Sequence, residues 1–115
     1  MTVLLYGIPN CDTVKKARTW LESNGVEYTF HDFKKQGVDE AMLRGWLAHV
    51  PLATLLNRKG TTWRALSDAD KALAEQEAGA IALMQQSPSL IKRPVLAHKG
   101  SVSVGFSPDN YASFF

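Results

Sequence analysis

Cysteine is nearly absent from this sequence, and Cys11 is the only one among its 115 residues. A single cysteine excludes an internal disulfide framework and a zinc site built on cysteines, and it is compatible with a reducing compartment. No apolar run approaches the roughly 20 residues that a membrane span needs. The first residues also lack the basic and apolar segments of a signal peptide. We therefore predict a cytoplasmic protein.

Excess charge of either sign is also lacking. The formal net charge is +2 and the isoelectric point is near 8.8, which is too weakly basic to indicate nucleic-acid binding. The three histidines are far apart and lack the spacing of metal ligands. With 45% hydrophobic residues, the chain suits one domain with a modest core. We accordingly expect a single domain over residues 1–115, a monomer, with no metal, nucleic-acid or membrane partner.

The lone cysteine stands at a predicted junction between a strand and a helix. Val3–Tyr6 is short and apolar, as a strand covered on both faces would be. A Gly/Pro/Asn turn follows, and behind Cys11 a helix with an apolar stripe runs to about Asn24. Unpaired N–H groups and the dipole at a helix N-terminus favour the thiolate. A buried, inert cysteine is the alternative, but the polar turn favours an accessible, reactive thiol.

The first half continues as a strand–helix–strand unit and then becomes helical. Gly25 suits a helix end, and Val26–His31 alternates as a strand would; the short connections make this strand parallel to the first. Residues 34–37 read as an exposed loop, and residues 57–62 read as a polar turn. Further helices are predicted behind Asp39, with Pro51 in a first turn, behind Ser67, and over Ala78–Gln86.

The last third predicts a hairpin and a helix. Pro94–His98 is a strand candidate, Lys99 and Gly100 form a two-residue turn, and Val102–Phe106 alternates as a partner strand. Ser107 can cap a final helix. The order is β α β, several helices, then β β α, which predicts an α/β fold with one mixed sheet and a helical insertion between its halves.

This order and two motifs resemble a known family. This order of elements, with a cysteine after the first strand, resembles the thioredoxin fold. Tyr6–Thr13 and Ile91–Val95 resemble the arsenate reductase-like ArsC/Spx family, in particular its YffB-like branch, and Asn57–Arg64 fits that branch too. The resemblance implies a thioredoxin-like fold with parts at about 1–33 and 90–115 and a helical insertion at about 38–89.

The resemblance also implies site residues. Cys11 matches the catalytic cysteine of the family, and Thr13 matches a hydroxyl residue two positions later. Arg93 matches an arginine that contacts the oxyanion in arsenate reductases, and Pro94 matches the proline that thioredoxin folds hold in cis beside the active site. A further oxyanion arginine of the reductases falls near Arg58, although the register leaves the preceding asparagine open.

Three positions depart from the family's patterns. A histidine that the reductases carry before the cysteine is Gly7 here, and their late third arginine falls at Phe106. An arsenate site is therefore incomplete. The regulatory Spx branch often has Cys-x-x-Cys, but Val14 occupies the second cysteine position.

Members of the YffB-like branch have been proposed to be glutathione-dependent thiol reductases, so the resemblance implies that function. A lone cysteine cannot resolve its own mixed disulfide, and glutathione is the expected co-substrate, acting on a disulfide or a glutathionylated substrate. Arsenate reduction and a non-enzymatic, Spx-like regulator that binds RNA polymerase are the alternatives.

Each expected site residue has a chemical role in that reading. Cys11 is the nucleophile, and Arg93 would favour its thiolate and bind a glutathione carboxylate. The Thr13 hydroxyl could donate a hydrogen bond to the thiolate. Asn10 could bind substrate or merely support the turn. Together with Thr13 and Asn10, we expect two more residues to contact substrate: Arg58 and Pro94.

Overall fold

The computed structural model describes residues 3–115. Met1 and Thr2, which belong to the predicted first half, lie outside the described residues. The described strands are β1 (Val3–Gly7), β2 (Thr29–Asp32), β3 (Val95–His98) and β4 (Ser101–Val104). The described α-helices are α1 (Asp12–Ser23), α2 (Phe33–Gln36), α3 (Glu40–Leu47), α4 (Leu52–Leu55), α5 (Thr61–Arg64), α6 (Asp68–Leu73), α7 (Glu77–Gln86) and α8 (Pro108–Ala112); a 3-10 turn spans Pro88–Leu90.

The strands form one mixed sheet in the order β2-β1-β3-β4. β1 is parallel to β2 and antiparallel to β3, and β3 pairs with β4 as a hairpin. Lys99 and Gly100 have φ values of 52° and 76°, as both central residues of a type I′ hairpin turn require. The predicted mixed sheet and the thioredoxin-like arrangement of strands and helices are confirmed.

The chain divides into two compact units. The first consists of the described residues of Met1–Gln36 together with Arg93–Phe115, and the second is Gly37–Lys92. The first unit contains the sheet, and its apolar core lies between the sheet and the helices α1 and α8. The members of that core are Val3, Leu5, Ala17, Leu21, Leu96 and Tyr111.

The second unit contains α3 to α7, and two of its helices begin with the predicted caps. Asp39 Oδ1 accepts a hydrogen bond from the Met42 N–H at 2.8 Å. Ser67 Oγ accepts one from the Asp70 N–H at 3.1 Å. Each side chain thereby satisfies an N–H group that the first helical turn leaves unpaired. The buried side chains of this unit include Leu43, Trp46, Leu55, Ala80, Ile81 and Met84.

Two boundaries near the parallel strand differ from the prediction. β2 begins at Thr29 rather than at Val26. The Val26 N–H donates to the Leu21 carbonyl at 2.9 Å, so Val26 belongs to the turn that follows α1, in which Gly25 has a φ of 69°. Such a bond is typical of helix termination. The expected loop at 34–37 was also wrong: most of it belongs to α2. Side chains hold this short helix, since Asp32 Oδ1 accepts from the Lys34 N–H at 2.9 Å.

Three smaller predictions also need correction. Pro51 precedes α4 as its extended cap residue instead of lying in the first turn. The polar turn after residue 57 is shorter than expected, because α5 already begins at Thr61. β4 ends at Val104 rather than at Phe106, because Gly105 adopts a φ of 77° and leaves the strand.

Candidate active site

Cys11 is the residue on which α1 begins. Its backbone is extended (φ −90°, ψ 128°), its N–H donates to the Ile8 carbonyl at 3.2 Å, and its own carbonyl accepts from the Lys15 N–H at 2.9 Å. The chain therefore turns sharply out of β1 and enters the helix at the cysteine. The Cys11 side chain is half-buried, so the thiol is partly accessible to solvent.

The segment before β3 reaches the same end of the sheet. Tyr6 lies opposite Val95 in the antiparallel pair of β1 and β3, so the chain leaving β1 and the chain entering β3 are neighbours. The Arg93–Pro94 peptide bond is cis, as predicted. Pro94 is buried, and its carbonyl accepts a hydrogen bond from the Gly105 N–H at 2.9 Å. Arg93 is half-buried.

The pKa of the Cys11 thiol is the balance of two opposing effects. Partial burial is the largest single influence and raises the pKa, because it disfavours the charged form. The Val14 N–H opposes it, followed by a hydrogen bond from the Arg93 side chain, the Thr13 N–H and the positive charge of Arg93. Together these groups hold the pKa of Cys11 below its ordinary value. Groups of Thr13 and Arg93 thus both act on Cys11.

Two details of this arrangement differ from the sequence-based expectation. Thr13 acts on the pKa of Cys11 through its backbone N–H, whereas we expected the hydroxyl to do so. The Val14 N–H was not singled out in advance, and it precedes Arg93 among the groups that lower the pKa. Its position was nevertheless readable from the sequence, because the N–H groups two and three residues after a cap point back at the cap side chain. The neutral Cys11 side chain makes no cap hydrogen bond, so these N–H groups matter chiefly for the thiolate.

Close packing beside the thiol involves Gly7 and Val14. A Cβ atom on Gly7 would lie 2.8 Å from Cγ2 of Val14, which is closer than real Cβ contacts allow. The Val14 side chain is fully buried and fills the space that a larger residue at position 7 would need. Val14 therefore has two roles, since its side chain packs on Gly7 while its N–H favours the thiolate.

The remaining candidates have different surroundings. Asn10 is exposed in the turn before the cysteine. Asp12 is exposed in the first turn of α1, where an acidic side chain stabilises a helix. Arg58 belongs to the second unit, where its guanidinium carbon lies 5.4 Å from the centre of the Trp63 ring. That distance is typical of a cation–π contact.

No metal-binding cluster of three or more His, Cys, Asp or Glu side chains occurs within residues 3–115. None of the helices in the same range is long and apolar enough to cross a membrane.

A mixed sheet with a helix-terminal thiol and a cis-proline at one end defines a thioredoxin-like protein with a single-cysteine site. The family model of the ArsC family matches residues 6–114, and the chain belongs to that family.

Three relatives give this membership more detail. A solved structure of a YffB protein is 54% identical, covers 97% of both chains and has a TM-score of 0.93. The structure of an arsenate reductase (ArsC) related protein from Brucella melitensis is 50% identical, covers 100% of this chain and 95% of that one, and has a TM-score of 0.78. The global transcriptional regulator Spx 1 from Lactococcus lactis is 26% identical over 113 residues, which is 96% of this chain and 86% of the regulator. The family thus includes arsenate reductase-related proteins and Spx regulators.

Proposed function

We propose that this protein is a glutathione-dependent thiol–disulfide reductase in which Cys11 is the nucleophile. The observation that carries the proposal is the lowered pKa of Cys11, to which Arg93 and the start of α1 both contribute. A lowered pKa increases the thiolate fraction at neutral pH, and the thiolate is the form that attacks disulfides.

The reaction needs two thiol–disulfide exchanges. The Cys11 thiolate attacks the glutathione sulfur of a mixed disulfide, the substrate sulfur leaves as a thiolate and takes a proton from solvent, and Cys11 becomes glutathionylated. A second glutathione thiolate then attacks that glutathione sulfur, which releases oxidised glutathione and restores the Cys11 thiolate. An external thiol is required because the sequence contains no second cysteine.

Arg93 has two roles in this scheme. Its charge and hydrogen bond favour the Cys11 thiolate, and its guanidinium can bind a glutathione carboxylate through two parallel hydrogen bonds. The backbone at Arg93, directly before the cis-proline, would pair with an extended substrate as an added strand. Exposed Asn10 and half-buried Thr13 are the nearest further substrate contacts along the chain, and exposed Arg58 is a candidate ligand for an anionic group. The proposal includes a monomer that acts in the cytoplasm without a metal, nucleic acid or membrane.

Arsenate reduction is the second candidate, and the name of the Brucella relative favours it. Two features oppose it, since Gly7 and Phe106 stand where the reductases carry a histidine and an arginine. The name of the Lactococcus relative favours a third candidate, a regulator that acts without thiol turnover. The thiolate-stabilising environment of Cys11 favours chemistry over a purely structural contact.

Turnover assays separate these candidates. We expect reduced protein to transfer glutathione from a small mixed disulfide to free glutathione, and Cys11→Ser to abolish this turnover. Mass spectrometry should detect one glutathione on Cys11 when free glutathione is withheld. Turnover of arsenate but not of the mixed disulfide would reject the proposal in favour of the second candidate. Inactivity with both, together with capture of RNA polymerase, would favour the third.

A further inference from the structure

A shallow, open groove runs along α1 beside the thiol site. It has a volume of about 420 Å³, and its walls come from one face of the helix and from the loop after β4. The residues that line it are Lys15, Lys16, Thr19, Trp20, Ser23 and Phe106. All of them belong to the first unit.

The floor of the groove is aromatic and well supported. The ring of Trp20 meets the ring of buried Tyr111 edge-on at 5.6 Å, and the ring of Phe106 meets the same tyrosine edge-on at 4.8 Å. Both rings remain half-exposed. Aromatic side chains held in this way lose little conformational freedom on binding, which is why they often anchor protein–peptide contacts.

The rim of the groove is positively charged. Lys15 and Lys16 are exposed, and no carboxylate within residues 3–115 forms an ion pair with either of them. Among the described residues that line the groove, none is acidic. The groove therefore complements a segment that combines negative charge with one large apolar side chain.

The groove is continuous with both halves of the thiol site. Lys15 is one helical turn from the cysteine, and its N–H donates to the Cys11 carbonyl at 2.9 Å. Phe106 follows Gly105, whose N–H donates to the Pro94 carbonyl at 2.9 Å. A protein substrate whose mixed disulfide with glutathione reaches Cys11 can therefore place its neighbouring residues in the groove.

We propose that this groove binds an acidic segment of a protein substrate, with an aromatic or large aliphatic side chain seated between Trp20 and Phe106. The inference rests on the proposed thiol chemistry and names the substrate class for it: proteins rather than small disulfides. The helix rises about 1.5 Å per residue, so Trp20 lies roughly 13 Å along the axis from Cys11. An extended peptide covers that span in about four residues, which sets the distance between the reacting cysteine and the apolar anchor.

Binding can be tested without any thiol chemistry. The probe is a short synthetic peptide without cysteine, with two glutamates beside a phenylalanine, and the readout is the NMR signal of the Trp20 indole N–H, assigned with Trp20→Phe. We expect the peptide to shift this signal and to bind about tenfold more tightly than versions with lysines for the glutamates or alanine for the phenylalanine.

Protein variants provide the matched comparison. Lys15→Ala with Lys16→Ala should weaken binding of the acidic peptide by about threefold to tenfold, as the loss of two exposed charge pairs would. Lys15→Glu with Lys16→Glu should reverse the preference towards the lysine peptide. Lys34→Ala with Lys35→Ala removes two adjacent exposed lysines outside the groove and should leave the affinity unchanged.

The outcomes are separable from those of the proposed function. Equal binding of the three peptides would overturn the groove proposal even if a small mixed disulfide is turned over. A selective Trp20 shift without any turnover would support the groove and reject the reductase. If S-methylglutathione shifts the Trp20 signal equally and displaces the peptide, the groove is a glutathione site and the proposal is wrong.

Discussion

At Cys11, the balance between burial and hydrogen bonding decides how reactive the thiol is. We expect Arg93→Ala to raise the pKa of Cys11, because it removes both a hydrogen bond and a positive charge, and to slow alkylation at neutral pH by about fivefold to tenfold. Arg93→Lys should recover the charge without the planar fork, so it should restore the pKa better than glutathione binding. Thiolate absorbance against pH measures both variants.

The direction of the pH dependence follows from the lowered pKa. Alkylation of Cys11 should accelerate as the pH rises and level off below the ordinary thiol value of about 8.5. The same group stabilises the fold fully above the unfolded-state pKa, and this contribution is lost as the pH falls through the lowered value. If the pKa of Cys11 is unchanged in Arg93→Ala, the assignment of Arg93 to the site is wrong.

At Tyr111, burial is not offset by hydrogen bonding. The side chain is fully buried, and its hydroxyl has no hydrogen-bond partner within residues 3–115. We expect Tyr111→Phe to keep the ring contacts and to raise the free energy of unfolding by up to about 1 kcal/mol. Burial also raises the pKa of Tyr111, so wild-type stability should fall above about pH 10, where the unfolded chain ionises first. That alkaline loss should shrink in the variant.

Tyr28→Phe is the matched control for this change. The Tyr28 hydroxyl accepts a hydrogen bond from Arg18 Nε at 3.0 Å and donates one to Glu22 Oε2 at 2.8 Å. Its loss should therefore lower the free energy of unfolding by roughly 0.5–1 kcal/mol. Urea denaturation of both variants compares them, and a destabilised Tyr111→Phe would mean that the buried hydroxyl is satisfied after all.

Among the helices, two glycines have opposite surroundings. Gly45 lies inside α3 and a Cβ there would meet nothing within 4 Å, whereas a Cβ on Gly79 in α7 would clash with the Leu73 carbonyl oxygen. Gly45→Ala should stabilise the protein by about 0.5–1 kcal/mol, because alanine favours the helix. Gly79→Ala should destabilise it by at least about 2 kcal/mol, because the backbone has to move. Thermal unfolding measures both, and equal effects would contradict this packing of α6 against α7.

The starts of the helices and strands show which of these elements could be predicted from the sequence and which could not. Helices with a side-chain cap, such as those that follow Asp39, Ser67 and Ser107, start where the sequence indicates. Boundaries that depend on a backbone bond across a turn escaped prediction, as Val26 shows. The helix α2 escaped for a similar reason, because the capping group, the Asp32 carboxylate, lies in the preceding strand.

The site residues also divide into those that could be predicted from the sequence and those that could not. Cys11 could be predicted from its place at the start of a helix, and Arg93 from the motif that resembles the ArsC/Spx family. The pairing of β1 with β3 is what brings the two flanking segments together in the structure. Arg58 could not be assigned, because the resemblance left the register between Asn57 and Arg58 open. The sequence predicted that N–H groups at the helix start favour the thiolate, but it did not predict that the Val14 N–H precedes Arg93 in lowering the pKa of Cys11.

For the molecule as a whole, the division into two units implies that stability and thiol reactivity can be changed separately. Every group found to lower the pKa of Cys11 belongs to the first unit. Ile81→Val shortens a buried side chain in the second unit, and it should reduce the free energy of unfolding by about 0.5–1.5 kcal/mol. We expect the pKa of Cys11 to stay unchanged in this variant, as measured by thiolate absorbance.

Ile8→Val makes the same change in the first unit, where buried Ile8 accepts the Cys11 N–H through its carbonyl. It should cost similar stability, and because the Ile8 backbone that accepts the Cys11 N–H can shift when the side chain is shortened, it should also slow alkylation of the thiol. A shift of the Cys11 pKa in Ile81→Val but not in Ile8→Val would show that the second unit controls the site.

The close approach of Gly7 to Val14 also limits how this site can change in evolution. A histidine at position 7, as in the arsenate reductases, requires space that the valine now fills. If position 7 mutates first, the valine has to move, and we expect the pKa of Cys11 to rise if the N–H that favours the thiolate moves with it. If position 14 becomes smaller first, the intermediate keeps its backbone. We therefore expect a smaller residue at position 14 to make a histidine at position 7 easier to accommodate.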